Sequence, residues 1–379
     1  MRTAQSIWNP TAGWAQGAPA ELEGASLVLV FAGREILEDS PAIDELTAAY
    51  PEATIVGCST AGEIVDVHVH DGSLVATAIQ FKGTRVEPAH VAIADVDGDS
   101  RAAGAKIADL LDPVDLRHVM VFSDGLEVNG SGLVEGLTDT LPESVTVTGG
   151  LSADGAEFQR TLVLSGDNAD LGQVTAVGLY GDRVQVRSAS LGGWDSFGPE
   201  RLITRSEGNI LLELDGRPAL ELYREYLGKH AEGLPGTGLL FPMAIRIGDT
   251  DTPVVRTILG IDDERGSLTF AGDVPEGAYG RLMHANVERL VDGAAAAAEA
   301  SQGDGDDLKT ELAILISCVG RKMVLKQRVE EEIEAVREVL GEDAAIAGFY
   351  SYGEISAFTP GAKCELHNQT MTITSISES

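Results

Sequence analysis

A short apolar run, a helical stretch and a second apolar run ending in a loop framed by two glycines recurs three times in this 379-residue chain. In the first copy, residues 27–31 (LVLVF) read as a buried strand; Ser40 and Pro41 open a helix whose face is Ile43, Leu46 and Tyr50, and Thr54-Ile55-Val56 runs into the loop GCSTAGEI at 57–64. The last copy repeats the order, with 312–316 (LAILI), a helical face of Leu325, Val329, Ile333, Val336 and Leu340, and Ala345-Ile346-Ala347 leading into GFYSYGEI at 348–355. A weaker copy lies between them, from 119–122 through Leu133, Leu137 and Leu141 to Val145-Thr146-Val147 and a loop framed by Gly150 and Gly155. That frame places Ser152 opposite Ser59. Strand, crossover helix and strand make a right-handed parallel βαβ unit.

Between the units run stretches of strand character: 73–81, 84–93, 160–165, 174–190, 201–214, 240–247, 254–261 and 266–271. The expected class is therefore α/β in the broad sense (mixed α+β), with repeated βαβ units and mixed sheets. Pro218 opens a further helix that Gly228 ends, the alanine-rich run 293–300 continues a helix from about Met283, and residues 303–307 form a solvated connection. A boundary near Gly192-Gly193 gives two domains, 1–192 and 193–379.

Charge and cysteine use narrow the function. Sixty acidic against 27 basic residues give a formal charge of −33, a surface that repels phosphate backbones and anionic lipids, so neither a nucleic-acid nor a membrane partner is expected. No apolar window approaches the ~20 residues needed to span a bilayer, and a cytoplasmic protein is expected. Three cysteines without a CxxC pair argue against a disulfide framework and against a structural zinc site. No metal is expected, and no cofactor.

Loops after parallel strands gather at their carboxyl ends, where ligands of open α/β sheets bind, and glycine lets backbone amides approach a small molecule. The candidate ligand-binding residues are Gly57, Ser59, Thr60, Gly62, Cys318, Arg321, Tyr350, Ser351, Gly353 and Asn368. Arg321, like Arg34, sits at a strand-to-helix junction, where a planar fork of donors suits a carboxylate; a surface ion pair is the plainer reading of both. Glu63 and Glu354 are either paired carboxylates for acid and base work or caps for neighbouring amides. Cys58 and Cys318 are either nucleophiles or small buried apolar residues. Ser59 lacks the Gly-x-Ser-x-Gly elbow of a hydrolase. His68 and His70 form the only local histidine pair, too few ligands for a metal, while His367 lies in a polar cluster before the last strand. No phosphate-binding or dinucleotide fingerprint is present.

Taken in order, GCSTAGEI, the turn Gly192-Gly193-Trp194-Asp195-Ser196-Phe197-Gly198, Gly208-Asn209-Ile210, Phe241-Pro242, Ser317-Cys318-Val319-Gly320-Arg321, GFYSYGEI and Leu366-His367-Asn368-Gln369-Thr370 resemble the FIST family of signal-transduction sensors. The resemblance implies two FIST-type subdomains sharing a central cleft, a small ligand such as an amino acid, no catalysis, and output through a histidine kinase or another separate signalling protein. Some family members are haem-binding nitric-oxide sensors that regulate histidine kinases, which gives a second reading with haem as cofactor. A cysteine-dependent enzyme is the third.

Overall fold

Runs with no polar alternation need cover on both faces, and each apolar run of the repeats is an almost wholly buried strand. Leu27–Ala32 pairs in parallel with Thr54–Ser59, Leu116–Ser123 with Thr146–Leu151, and Leu312–Cys318 with Ala345–Ser351. In every unit an antiparallel strand lies on the other side of the first: Leu74–Gln80, Gln173–Tyr180 and Met371–Glu378. A fourth follows it: Arg2–Asn9, Arg85–Ala92 and Val184–Leu191. Three sheets thus share one strand order. The computed structural model describes residues 1–248, 253–303, 309–359 and 361–379.

The units are tied together by exchange. After its glycine loop, each chain segment crosses to another unit's sheet: Glu63–Val65 joins the third unit, Gly353–Ala357 the second, and Val163–Ser165 the first. This cyclic exchange covers one edge of every parallel pair and closes the units into a ring. At its centre Phe31, Phe122 and Phe349 pack with ring centroids 4.7, 5.6 and 6.1 Å apart. Crossover helices cover the outer faces. In the second unit helix Gly130–Thr140 packs on Ser100–Leu110, and the side chains of Asn129 and Asp99 accept from the first free amides of the two helices, each cap stabilising by about 1 kcal/mol.

The shared register shows why the loops need glycine. A Cβ on Gly57 would lie 1.7 Å from the Val30 carbonyl oxygen, one on Gly149 1.8 Å from that of Val121, and one on Gly348 1.9 Å from that of Leu315. These three are the equivalent positions, so the second copy is framed from Gly149 and not from Gly150. Ser152 consequently matches Thr60 and Ser351, one place on from the match with Ser59 that the glycine frame suggests. The same register aligns Gly72, Gly172 and Gln369, which adopt φ of +62°, +59° and +65°.

Inside the third unit, between Val184–Leu191 and Leu312–Cys318, the chain builds an eight-stranded antiparallel sheet, bounded by Asp195–Glu207 and Tyr279–His284 in sequence, with helix Ala219–Leu227 after Pro218 and before Gly228 as expected. The expected helix from Met283 begins later: 279–284 is strand, and Asn286 caps Val287–Gln302. Residues 304–307 of the expected 303–307 connection lie outside the described residues. A cut after 192 falls at the start of the inserted sheet, yet it places Val184–Leu191 apart from Met371–Glu378, its partner in the third unit.

Candidate functional site

The three glycine loops meet at one end of the ring and are bonded directly to one another. Ala61 N donates to Tyr350 O and Tyr350 N to Gly62 O, both at 2.8 Å; Ala153 N donates to Ser59 O at 2.9 Å, and Tyr352 N to Leu151 O at 3.2 Å. The two near-copies face each other, but as a sealed junction whose amides are largely spent on neighbouring loops.

Beneath the junction sit two equivalent buried carboxyls. Glu63 accepts from Thr60 Oγ1 at 2.6 Å and from Ser73 N and Oγ at 3.1 and 2.8 Å. Glu354 accepts from Ser351 Oγ at 2.6 Å and from Thr370 N and Oγ1 at 3.2 and 2.9 Å. Burial pushes the Glu63 carboxyl up to about 7 and that of Glu354 to about 8, against the opposing pull of these donors. The second unit has Gly155 in the equivalent place. Asp154 beside it accepts from the amides of Phe158, Gln159 and Arg160 at 2.8 to 2.9 Å and from the Tyr352 hydroxyl.

Most of the candidate residues belong to this closed core. Ser59 Oγ accepts from Leu162 N at 2.9 Å, and Tyr350 is fully buried with its hydroxyl on Glu332 at 2.6 Å. Ser351 serves Glu354, and Gly353 packs on Leu151 and Leu366. Asn368, buried, lies between Thr257 N at 3.4 Å and Tyr352 O at 3.5 Å, locking the inserted sheet to the ring, while the Trp194 indole donates to Gln369 O at 2.8 Å. Arg321 is a buried strut: Nε and Nη2 reach Glu332 at 3.0 and 2.7 Å, and the remaining donors hold the carbonyls of Leu290 and Gly192. It therefore has no open face for an external carboxylate.

One part of the junction is open. Thr60, Gly62 and Glu63 line a cleft of about 590 Å³ whose other walls include Trp8, Arg34, Ile36, Asp71 and Asp154. Gly62 has φ +138°, and a Cβ there would meet Lys322 Nζ at 2.3 Å. That lysine crosses from the third unit to donate to Ala61 O at 2.7 Å and to pair with Asp71. Arg34 faces Glu157 at 3.1 Å and Asp154 at 3.4 Å, and its buried Nε, though without a hydrogen bond, lies 3.7 Å from Glu38. Asp154, Trp8 and Asp71 were not legible as site residues; only the equivalence of Asp71 with Asn368, hidden by unlike turn sequences, pointed to the turn.

Histidines and thiols stand apart from this cleft. His118 bonds Thr146 and Thr148 through both ring nitrogens, and His367 Nε2 bonds Ser356 O; burial lowers them to about 3 and 4. A 380 Å³ hollow contains His90, but Ser165, Asp167, Asn168, Asp170, Gln173 and Thr175 make its walls polar, which does not fit a haem face. Burial alone raises the Cys58 thiol; for Cys318 burial and Glu354 do so, and Cys364 reaches about 12. None is poised as a thiolate near pH 7. Among the described residues no cluster of three or more metal-ligating side chains occurs, and no helix is long and apolar enough to cross a membrane.

The fold and the cleft define a three-unit α+β protein with an inserted antiparallel sheet. Residues 26–217 match the FIST N domain and 219–357 the FIST C domain, and the chain belongs to the FIST family, whose domains are associated with signal-transduction sensing. It is 24% identical over 356 residues to an uncharacterized protein of Methanocaldococcus jannaschii, covering 83% of this chain and 66%, just under two thirds, of that protein. An uncharacterized protein of Mycobacterium tuberculosis is 23% identical over 374 residues, covering 94% and 93% of the two chains. A solved structure, cyanuric acid hydrolase from A. caulinodans, covers 100% of this chain and 98% of its own at a TM-score of 0.37 and 9% identity, too distant a likeness to bear on function.

Proposed function

We propose that the chain is a sensory module that binds a small polar metabolite, an amino acid or a close analogue, in the cleft beside Thr60 and Glu63, and relays occupancy to a separate signalling protein such as a histidine kinase. The observation that carries this reading is the cleft itself: about 590 Å³ of open space lies against the glycine junction, between the Arg34 guanidinium and a set of carboxylates. Arg34, now paired with Glu38, Asp154 and Glu157, carries a guanidinium that a ligand carboxylate can take over from the half-exposed Glu157. Asp71, exposed and held by Lys322, offers an acceptor to an ammonium group, while Asp154 and Glu63, their oxygens taken by neighbouring donors, set the negative potential of the cleft wall. The cleft touches residues of the first and second units, and Lys322 of the third closes on Asp71 beside it. A ligand that displaces this lysine has different affinity for the latched and unlatched arrangements, which is the condition for a conformational signal.

Calorimetric titration of the twenty amino acids, one at a time, tests the reading. Saturable binding that Arg34→Ala weakens at least tenfold supports it; binding that ignores Arg34 and Asp154 places the ligand elsewhere and removes the cleft.

A further inference from the structure

Two guanidinium groups lie deep in this protein, and they are treated differently. Arg321 is neutralised by Glu332 at 2.7 Å. Arg256, only 6% exposed, is held by carbonyl oxygens alone: Nε donates to Asp273 O at 3.1 Å, and Nη1 to Leu366 O at 2.8 Å and Val255 O at 3.4 Å. No carboxylate of the described residues lies within ion-pair distance, and Nη2 has no bond to them. A buried charge is costly unless it is paired, so this arrangement is incomplete as it stands.

The same guanidinium lines a separate cavity of about 180 Å³, where the inserted sheet meets helix Gly130–Thr140 and strand Cys364–His367. Val134, Ile245, Val254 and Leu366 supply an apolar wall and Lys363 a second cation. We infer that this cavity is a binding site for a small aliphatic monocarboxylate, its oxygens on Arg256 Nη2 and its hydrocarbon body against Val134, Ile245 and Leu366. Two spare donors on one nitrogen, beside a second cation, suit a carboxylate. The volume exceeds the ~15 Å³ of a single water and falls short of the ~300 Å³ at which drug-sized sites begin. Glu135, Asp273 and Glu365 also line the cavity, one negative charge more than Arg256 and Lys363 supply, so each added charge is penalised and a dianion such as sulfate more than a monocarboxylate. Burial lowers Arg256 to about 10, which leaves it charged at neutral pH and an added anion stabilising. The site is distinct from the cleft at Thr60 and stands or falls without it.

The test is methyl NMR of the full chain labelled at isoleucine and valine, titrated with isobutyrate, with isobutyramide and with inorganic phosphate. Saturable shifts of the Ile245, Val254 and Val134 methyls with isobutyrate alone are expected. Arg256→Gln should weaken them by roughly tenfold to a hundredfold, the range for hydrogen bonds to a charged group. Because that variant also releases three carbonyls, Val134→Phe provides a second measurement: it fills the cavity, leaves Arg256 in place and should abolish the shifts. Equal response to isobutyramide or to phosphate overturns the monocarboxylate assignment, as does isobutyrate binding that survives Val134→Phe, and absence of any response overturns the site.

Discussion

Replacing Arg321 with methionine should destabilise the protein without touching the cleft. The substitution leaves Glu332, fully buried, with only Ser317 Oγ at 3.1 Å and the Tyr350 hydroxyl at 2.6 Å, and it orphans the carbonyls of Gly192 and Leu290. Breaking a buried pair by removing one partner costs about 3–5 kcal/mol. With an unfolding entropy of about 2.1 cal/mol/K per residue, 379 residues unfolding together lose about 1 °C of Tm for every ~0.8 kcal/mol, so the expected drop is about 4–6 °C. Circular dichroism melts of the purified variant measure it. Arg321→Met combined with Glu332→Leu should recover most of the loss, since the uncompensated charge is then gone. A single variant that melts within about 1 °C of the parent protein would refute the strut, and with it the reason for removing Arg321 from the ligand site.

Other expectations follow from the same geometry. Glu63 and Glu354 hold their protons to about pH 7 and 8, whereas in the unfolded chain they ionise near 4.5. The folded state therefore binds more protons across that window, and stability falls as pH rises through it, by up to ~1.4 kcal/mol per pH unit for each group. Melts from pH 5 to 8 should flatten in Glu63→Gln and Glu354→Gln, and an unchanged slope would place the two groups' ionisation elsewhere. Gly348→Ala, which drives a Cβ to 1.9 Å from the Leu315 carbonyl, should cost about 3 kcal/mol or more through strand separation and yield little folded protein; wild-type stability would contradict the register. Lys322→Met should free Asp71 and raise amide exchange at 60–63 and 71–72, which exchange on the parent protein reads directly.

The strand and helix pattern was legible because its signals are local. Apolar runs bounded by glycine or proline gave the parallel pair of each unit, and helical spacing gave their crossovers; the strand Arg2–Asn9, which has no apolar run, was not legible. Strand exchange was not legible, because Glu63–Val65 carries no mark of pairing with a strand nearly 300 residues away. Of the candidate residues only Thr60, Gly62 and Asn368 lie outside strands and helices; glycine at 57, inside a strand, reflects a neighbouring carbonyl and not a ligand, and Arg321 reads the same in sequence whether it faces solvent or Glu332. Burial separates these cases, and burial is a property of the closed ring. Asp154 was masked by the misplaced glycine frame, which set the second loop one residue out of step.

A small metabolite bound in the cleft between Thr60, Arg34 and Asp154 should leave a footprint in backbone amide exchange. Hydrogen-exchange mass spectrometry of the full chain, with and without a mixture of the twenty amino acids at millimolar concentration, tests it most directly. Slowed exchange confined to 33–36, 60–63, 71–72 and 154–160 is expected, with no change there in Arg34→Ala. Unchanged exchange across these segments, or protection that appears only in other parts of the ring, would contradict it.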